Sequence, residues 1–89
     1  MVRVKIILLD ENLRKSIAEK EIVFELPEGS TIRELLKKAM ERYGEAFVKA
    51  LRPEVSIMLN GQNIEFLGGF NAKLADGDRV AIVPIVAGG

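Results

Sequence analysis

Cysteine and histidine are both absent from the 89 residues. Thiolate nucleophiles, persulfides, disulfides and thiolate metal sites are thereby removed, along with the side chain best suited to acid–base work near neutral pH. The carboxylates show no spacing that makes an acid–base pair, so an enzyme with its own active site is not expected. The feature that could react is the end of the chain, Gly88-Gly89. A terminal carboxylate is inert until it is activated, for example as an acyl-adenylate. Its carbonyl can then be attacked by sulfur to give a thiocarboxylate, or by an amine to give an amide. To reach the catalytic centre of another protein, such an end must thread a narrow channel. Glycine has no Cβ and lets a second backbone approach closely. Two terminal glycines arise by chance in about one chain in 200, so the weight of the pair comes from what precedes it.

A reactive end needs a frame to carry it. Val2, Val4, Ile6 and Leu8 alternate with Arg3 and Lys5, the pattern of a strand with one buried face. Asp10 to Lys20 is a polar connection with room for a helical turn at Leu13 and Ile17. Ile22, Phe24 and Leu26 alternate in turn, predicting an antiparallel hairpin with the first strand. Pro27-Glu28-Gly29 is a turn, and Thr31 with Glu34 fits a capping box. Ile32, Leu35, Leu36, Ala39, Met40 and Tyr43 then form one helical stripe, with Gly44 as its stop. The spacing predicts a second short helix over 45–51, ended by Pro53. A strand over 55–59 leads to an Asn60-Gly61 turn, and 63–70 reads as irregular or weakly stranded. Asp76-Gly77-Asp78 is a second turn before a last strand, Arg79 to Val83, which should loosen at Pro84. The order of elements predicts an α+β roll in one domain, residues 1–84, followed by a tail, 85–89.

Composition narrows the function classes. Lys and Arg number 13 and Asp and Glu number 13, so the basic surplus of a dedicated nucleic-acid binder is missing. The 48% hydrophobic content suits a folded domain. No apolar run approaches the ~20 residues of a membrane span. Arg3 and Lys5 break the N-terminal apolar stretch, and no signal-peptide cleavage pattern follows; a cytoplasmic location is expected. Several residues read as structure. Asp76 and Asp78 flank a glycine as in a turn, no metal site is expected, and Gly68-Gly69 lacks the context of a phosphate loop.

Leu74 to Gly89 resembles the end of the MoaD/ThiS family of ubiquitin-like proteins, in which a Leu-x-Asp-Gly-Asp turn, a strand and a Pro-Pro-Val-x-Gly-Gly type tail follow one another. Leu26-Pro27-Glu28-Gly29-Ser30-Thr31-Ile32-Arg33-Glu34-Leu35-Leu36 is similar to the family's approach to its helix, and Asn60-Gly61 to the turn after its third strand. The resemblance runs in register over nearly the whole chain. It departs where Ile85 follows Pro84 in place of a second proline; Pro84 favours the MoaD-like branch and Ile85 weakens that preference.

The resemblance implies a β-grasp fold: a mixed sheet of four to five strands packed on one main helix, with a flexible Gly-Gly tail. It implies that an E1-like adenylyltransferase of the MoeB/ThiF kind activates Gly89 with ATP, no cofactor being held permanently. A sulfurtransferase would then supply sulfur for a C-terminal thiocarboxylate. The acceptor would be the MoaE-like large subunit of molybdopterin synthase or, in ThiS-like members, thiazole formation for thiamine; some relatives are attached to lysines of other proteins. Gly89 would be the reacting residue, with Gly88, Ala87, Val86, Ile85 and Pro84 threading into the partner. In such a sheet the first, last and third strands are neighbours. Ile7, Met58, Ala81 and Val83, all predicted to face away from the helix, would then form an apolar partner-binding patch unless the 63–75 segment covers them.

Overall fold

Alternating apolar residues build the sheet of the computed structural model, which describes residues 1–9, 11–17, 20–51 and 55–84. Strand β1, Val2–Leu8, buries Val2, Val4, Ile6 and Leu8 and turns the residues between them outward. It pairs antiparallel with β2, Glu21–Leu26, in a register that sets Val4 opposite Phe24. The connection between them is more ordered than a single turn. It holds a seven-residue helix, α1 (Glu11–Ile17), whose Ile17 reaches the core.

Helix α2, Ile32–Tyr43, lays Ile32, Leu35, Leu36 and Ala39 on the inner face of the sheet, with Met40 and Tyr43 at the edge of the core. Thr31 is its N-cap, but the capping box does not close. The Thr31 hydroxyl donates to the Glu34 carboxylate at 3.3 Å and caps no backbone N–H. The start of the helix is set instead by backbone pairing with 72–74: Ile32 N–H donates to the Ala72 carbonyl at 3.0 Å and Leu74 N–H to the Ser30 carbonyl at 2.8 Å. That bridge holds Thr31 extended between them. Gly44, at φ +65°, ends α2 by donating to the Met40 carbonyl at 2.7 Å. Its own carbonyl accepts from Phe47 and Val48, opening α3, Glu45–Ala50. Phe47 on α3 is fully buried. Pro53 lies outside the described residues.

Strand β3, Val55–Leu59, turns through Asn60 and Gly61, both at positive φ, into β4, Gln62–Asn63. This is the left-handed pair that an Asn-Gly hairpin demands. Two 3₁₀ turns follow, Ile64–Phe66 and Gly69–Asn71. Strand β5, Arg79–Pro84, enters the sheet parallel to β1 and antiparallel to β3, giving the order β2-β1-β5-β3-β4. It does not loosen at Pro84 as expected, since Pro84 stays in register with Val55. Pro84 lacks only a donor, and a strand can end on such a residue. The proposed tail, 85–89, lies outside the described residues.

The Asp76-Gly77-Asp78 turn ties three strands together. Arg3 N–H donates to Asp76 Oδ1 at 2.8 Å, and Gly77 N–H donates to the Arg3 carbonyl at 2.8 Å. The Asp78 carboxylate accepts from Ala75 N–H at 2.7 Å and from Asn60 Nδ2 at 2.9 Å, and Asn60 Oδ1 accepts from Arg79 N–H at 2.9 Å. Each aspartate is thus occupied by the turn itself. Charge-assisted bonds are worth roughly 1.5–3 kcal/mol each when shielded and less when exposed. Asp78→Ala, which loses two of them, is therefore expected to cost about 2 kcal/mol in urea unfolding, and Asp76→Ala, which loses one, about 1 kcal/mol. Equal costs would show that the link to Asn60 carries no weight.

Candidate functional site

The face of the sheet turned away from α2 is read directly from the strand registers. Ile7 sits beside Ala81 in the parallel β1–β5 ladder, and Ala81 sits opposite Met58 in the β5–β3 ladder. One row therefore crosses three strands as Ile7, Ala81 and Met58. Val83 lies two residues further along β5, opposite Ser56. All four residues predicted for the patch share this face and are half-buried. The 63–75 segment does not seal them off. Met58 has the Ser56 hydroxyl 3.8 Å from its sulfur, and that hydroxyl accepts from Asn63 Nδ2 at 3.0 Å, which trims one side of the row.

Two further apolar residues extend the surface: Leu9, which strand alternation also puts outward, and Val23, which was not named from sequence. Leu9 and Val23 are 45% and 46% exposed, far more than any core residue. Val23 lies between Glu21 and Glu25 and pairs with Lys5. The alternation that put Ile22 and Phe24 inside carried the signal that Val23 points out. Three further exposed apolar residues, Phe66, Leu67 and Phe70, stand on the 3₁₀ segment, where Arg33 lies over the Phe70 ring at 5.8 Å.

Charges flank the row at one end. Arg3 pairs with Glu25 at 3.0 Å and Lys5 with Glu21 at 3.5 Å, both on the outer face. The Arg3–Glu25 side chains are 68% and 56% exposed, so the pair contributes little to stability. Arg79, beside Lys5 in the ladder, completes this end. At the other end β5 reaches Pro84, beyond which come Ile85, Val86, Ala87, Gly88 and Gly89, outside the described residues. Ala81 of the row and Val83 therefore lie on the strand that ends where the undescribed residues begin. Among the described residues no cluster of three or more His, Cys, Asp or Glu is placed to hold a metal ion. No helix among them is long and apolar enough to cross a membrane.

Comparison with known proteins follows this geometry. The family model of the ThiS family matches residues 9–89. A protein of Archaeoglobus fulgidus assigned as a sulfur carrier is 43% identical over 54 residues, which is 61% of this chain and 56% of that protein. The chain thus aligns with just over half the length of this relative. The solution structure of small archaeal modifier protein 1 from Methanosarcina acetivorans superposes with a TM-score of 0.82 at 27% identity, covering 100% of this chain and 98% of that one. A Pyrococcus furiosus protein assigned as subunit 1 of a molybdopterin converting factor superposes with a TM-score of 0.80 at 29% identity, covering 97% of this chain and all of that one. The shared architecture is the ubiquitin-like β-grasp.

The two faces of β3 predict opposite responses to the same change. Met58→Asp puts a carboxylate on the outer row and should lower the unfolding free energy by about 1 kcal/mol, leaving a cooperative melt. Ile57→Asp buries a charge at a position 8% exposed and should leave no folded domain by circular dichroism. Loss of the fold in both would mean that Met58 belongs to the core.

Proposed function

This chain belongs to the ThiS family, and from that premise we propose that it is a sulfur carrier working through the carboxylate of Gly89. One observation carries the proposal above the others. The tail continues from β5, a strand held on both sides by β1 and β3, in a chain with no cysteine on which sulfur could ride as a persulfide. An activated carboxyl is the chemical alternative.

The steps follow from the electronics of a carboxylate. A terminal oxygen of Gly89 attacks the α-phosphorus of ATP in the active site of an E1-like enzyme, and pyrophosphate leaves. The acyl-adenylate carbonyl is then attacked by sulfur carried on a sulfurtransferase, and AMP leaves. Cleavage of the remaining sulfur–sulfur bond by a thiol frees the thiocarboxylate. This protein supplies no acid, base or metal to these steps. It delivers a slim end and a face that the enzyme can hold while the end is inserted. Gly88 and Gly89 keep the end thin. The dependence on ATP fits a cytoplasmic location.

For the acceptor we propose the large, MoaE-like subunit of molybdopterin synthase. The Pro84 of a MoaD-like tail and the likeness to the Pyrococcus protein support this choice over thiazole formation. A second reading is favoured by the likeness to the Methanosarcina modifier protein: attack on the same acyl-adenylate by a lysine amine would give an isopeptide-linked conjugate.

Intact mass of the untagged protein from its native host, with fragmentation of the C-terminal peptide, tests the reading. One terminal oxygen of Gly89 replaced by sulfur is the expected result. Deleting Gly88 and Gly89 should abolish ATP-dependent pyrophosphate release with the host E1-like enzyme while leaving the thermal melt unchanged. An unmodified carboxylate after incubation with ATP, that enzyme and a sulfur source would overturn the carrier reading. Conjugates that vanish on deletion of Gly89 would then put the modifier first.

A further inference from the structure

Among the described residues Arg79 is an outer-face cation to which the fold gives no ion pair. It is the direct neighbour of Lys5 in the parallel β1–β5 ladder, and like charges side by side oppose strand association. Lys5 and Arg3 have carboxylates of their own in Glu21 and Glu25. The Arg79 guanidinium has none within ion-pair distance among the described residues, and its side chain is exposed. The aspartates of the preceding turn accept other donors: Asp78 from Ala75 N–H and Asn60 Nδ2, Asp76 from Arg3 N–H. Across the sheet Asn60 meets the Arg79 backbone, bonding both its N–H and its carbonyl. A fan of free donors therefore stands two residues from Ala81, at the edge of the apolar row.

We propose that Arg79 is an ionic anchor, receiving a carboxylate of the enzyme that activates the tail while the Ile7–Ala81–Met58 row makes the apolar contact. This rests on the reading that Gly89 is adenylated. The sign of the charge and its continuity with the tail select the occupant. At this end of the face Arg3 and Lys5 are balanced by Glu25 and Glu21, so the cation left to seek a carboxylate among the described residues is Arg79. The strand that starts at Arg79 ends at Pro84, where the outgoing chain begins. Five residue steps of strand span about 17 Å. The enzyme's acidic group is therefore expected about 17 Å from the mouth of the channel that takes the tail. A guanidinium binds a carboxylate through two parallel bonds and so fixes orientation as well as attraction. The apolar row supplies contact area, and the ion pair supplies steering and alignment.

The test is titration calorimetry of the full chain against the recombinant host E1-like enzyme, at low and at high salt. Arg79→Glu is expected to weaken binding at least tenfold at low salt, Arg79→Lys to recover part of the loss, and Arg79→Ala to show a shallower salt dependence than the unaltered chain. Because Arg79→Glu gives Lys5 an opposite charge, its melting temperature should rise while its affinity falls, a divergence that a merely structural residue does not produce. Arg33→Glu, on the helix side, should leave affinity unchanged. If Arg79→Glu binds normally while Met58→Asp binds weakly, the anchor is wrong and the docking face stands. If the unaltered chain fails to bind, or Met58→Asp binds as tightly as it does, tail activation through this face falls and the anchor with it.

Discussion

The register of β5 between β1 and β3 is the constraint from which the rest follows. Strand side chains alternate with a period of two, so a slip by one residue would exchange the faces. Val80 and Ile82, fully buried here, would move to solvent, and Arg79, Ala81 and Val83 would turn toward α2. Burying an unpaired guanidinium is among the costliest changes available to a small core. The slip is opposed locally as well. Gly77 and Asp78 bond the β1 backbone at Arg3 and Lys5 while Asn60 grips Arg79 from the β3 side. The chain is thus fastened on both flanks immediately before β5 begins. That one fastening decides which residues make the core and which make the outer row.

This placement separates two tasks that a domain of 89 residues must perform with one sheet. The inner face carries stability: four residues of β1, three of β2 and the α2 stripe close over one another with nothing polar left unpaired among the described residues. The outer face mixes a half-buried apolar row with exposed charges, and neither is part of the core. Central strands with hydrogen bonds on both edges open last in native-state fluctuations. A tail that grows from such a strand starts from a fixed point. A rigid base limits the volume the end must search before it finds a channel.

Much of this was legible in the sequence because the signals were periodic or tied to special backbone angles. Alternation in β1, β2 and β5 gave the faces, and the 3.6-residue stripe gave α2. Asn60-Gly61 and Gly77 sit at the positive φ values their types suggest. What escaped was whatever depended on a remote neighbour. The Thr31–Glu34 capping box is locally well formed, yet backbone from 72–74 takes over the start of the helix. The extent of α1 follows from docking Ile17 into the core, which short-range propensity does not foretell. Val23 was available from alternation alone but draws no notice between two glutamates. Arg79 looks like an ordinary strand-end cation until the ladder sets it beside Lys5. The candidate site divides the same way: the residues of the row were readable from period two, and their adjacency only from the register.

A carrier without thiols has a chemical consequence for specificity. In the proposed scheme the route is the same up to the acyl-adenylate, whether sulfur then goes to a pterin or a thiazole or a lysine amine attacks instead. The reacting atoms hold no information about destination. Discrimination between acceptors must come from the difference in how well each partner matches the surface around the tail. The outer face offers such a surface, an apolar row set beside particular charges. A partner lacking a carboxylate opposite Arg79 meets three cations, only two of them locally balanced, and is disfavoured by their repulsion or by the cost of desolvating them. In the proposed scheme the end of the chain defines the chemistry that is available, and Arg79 at the start of β5 defines who uses it.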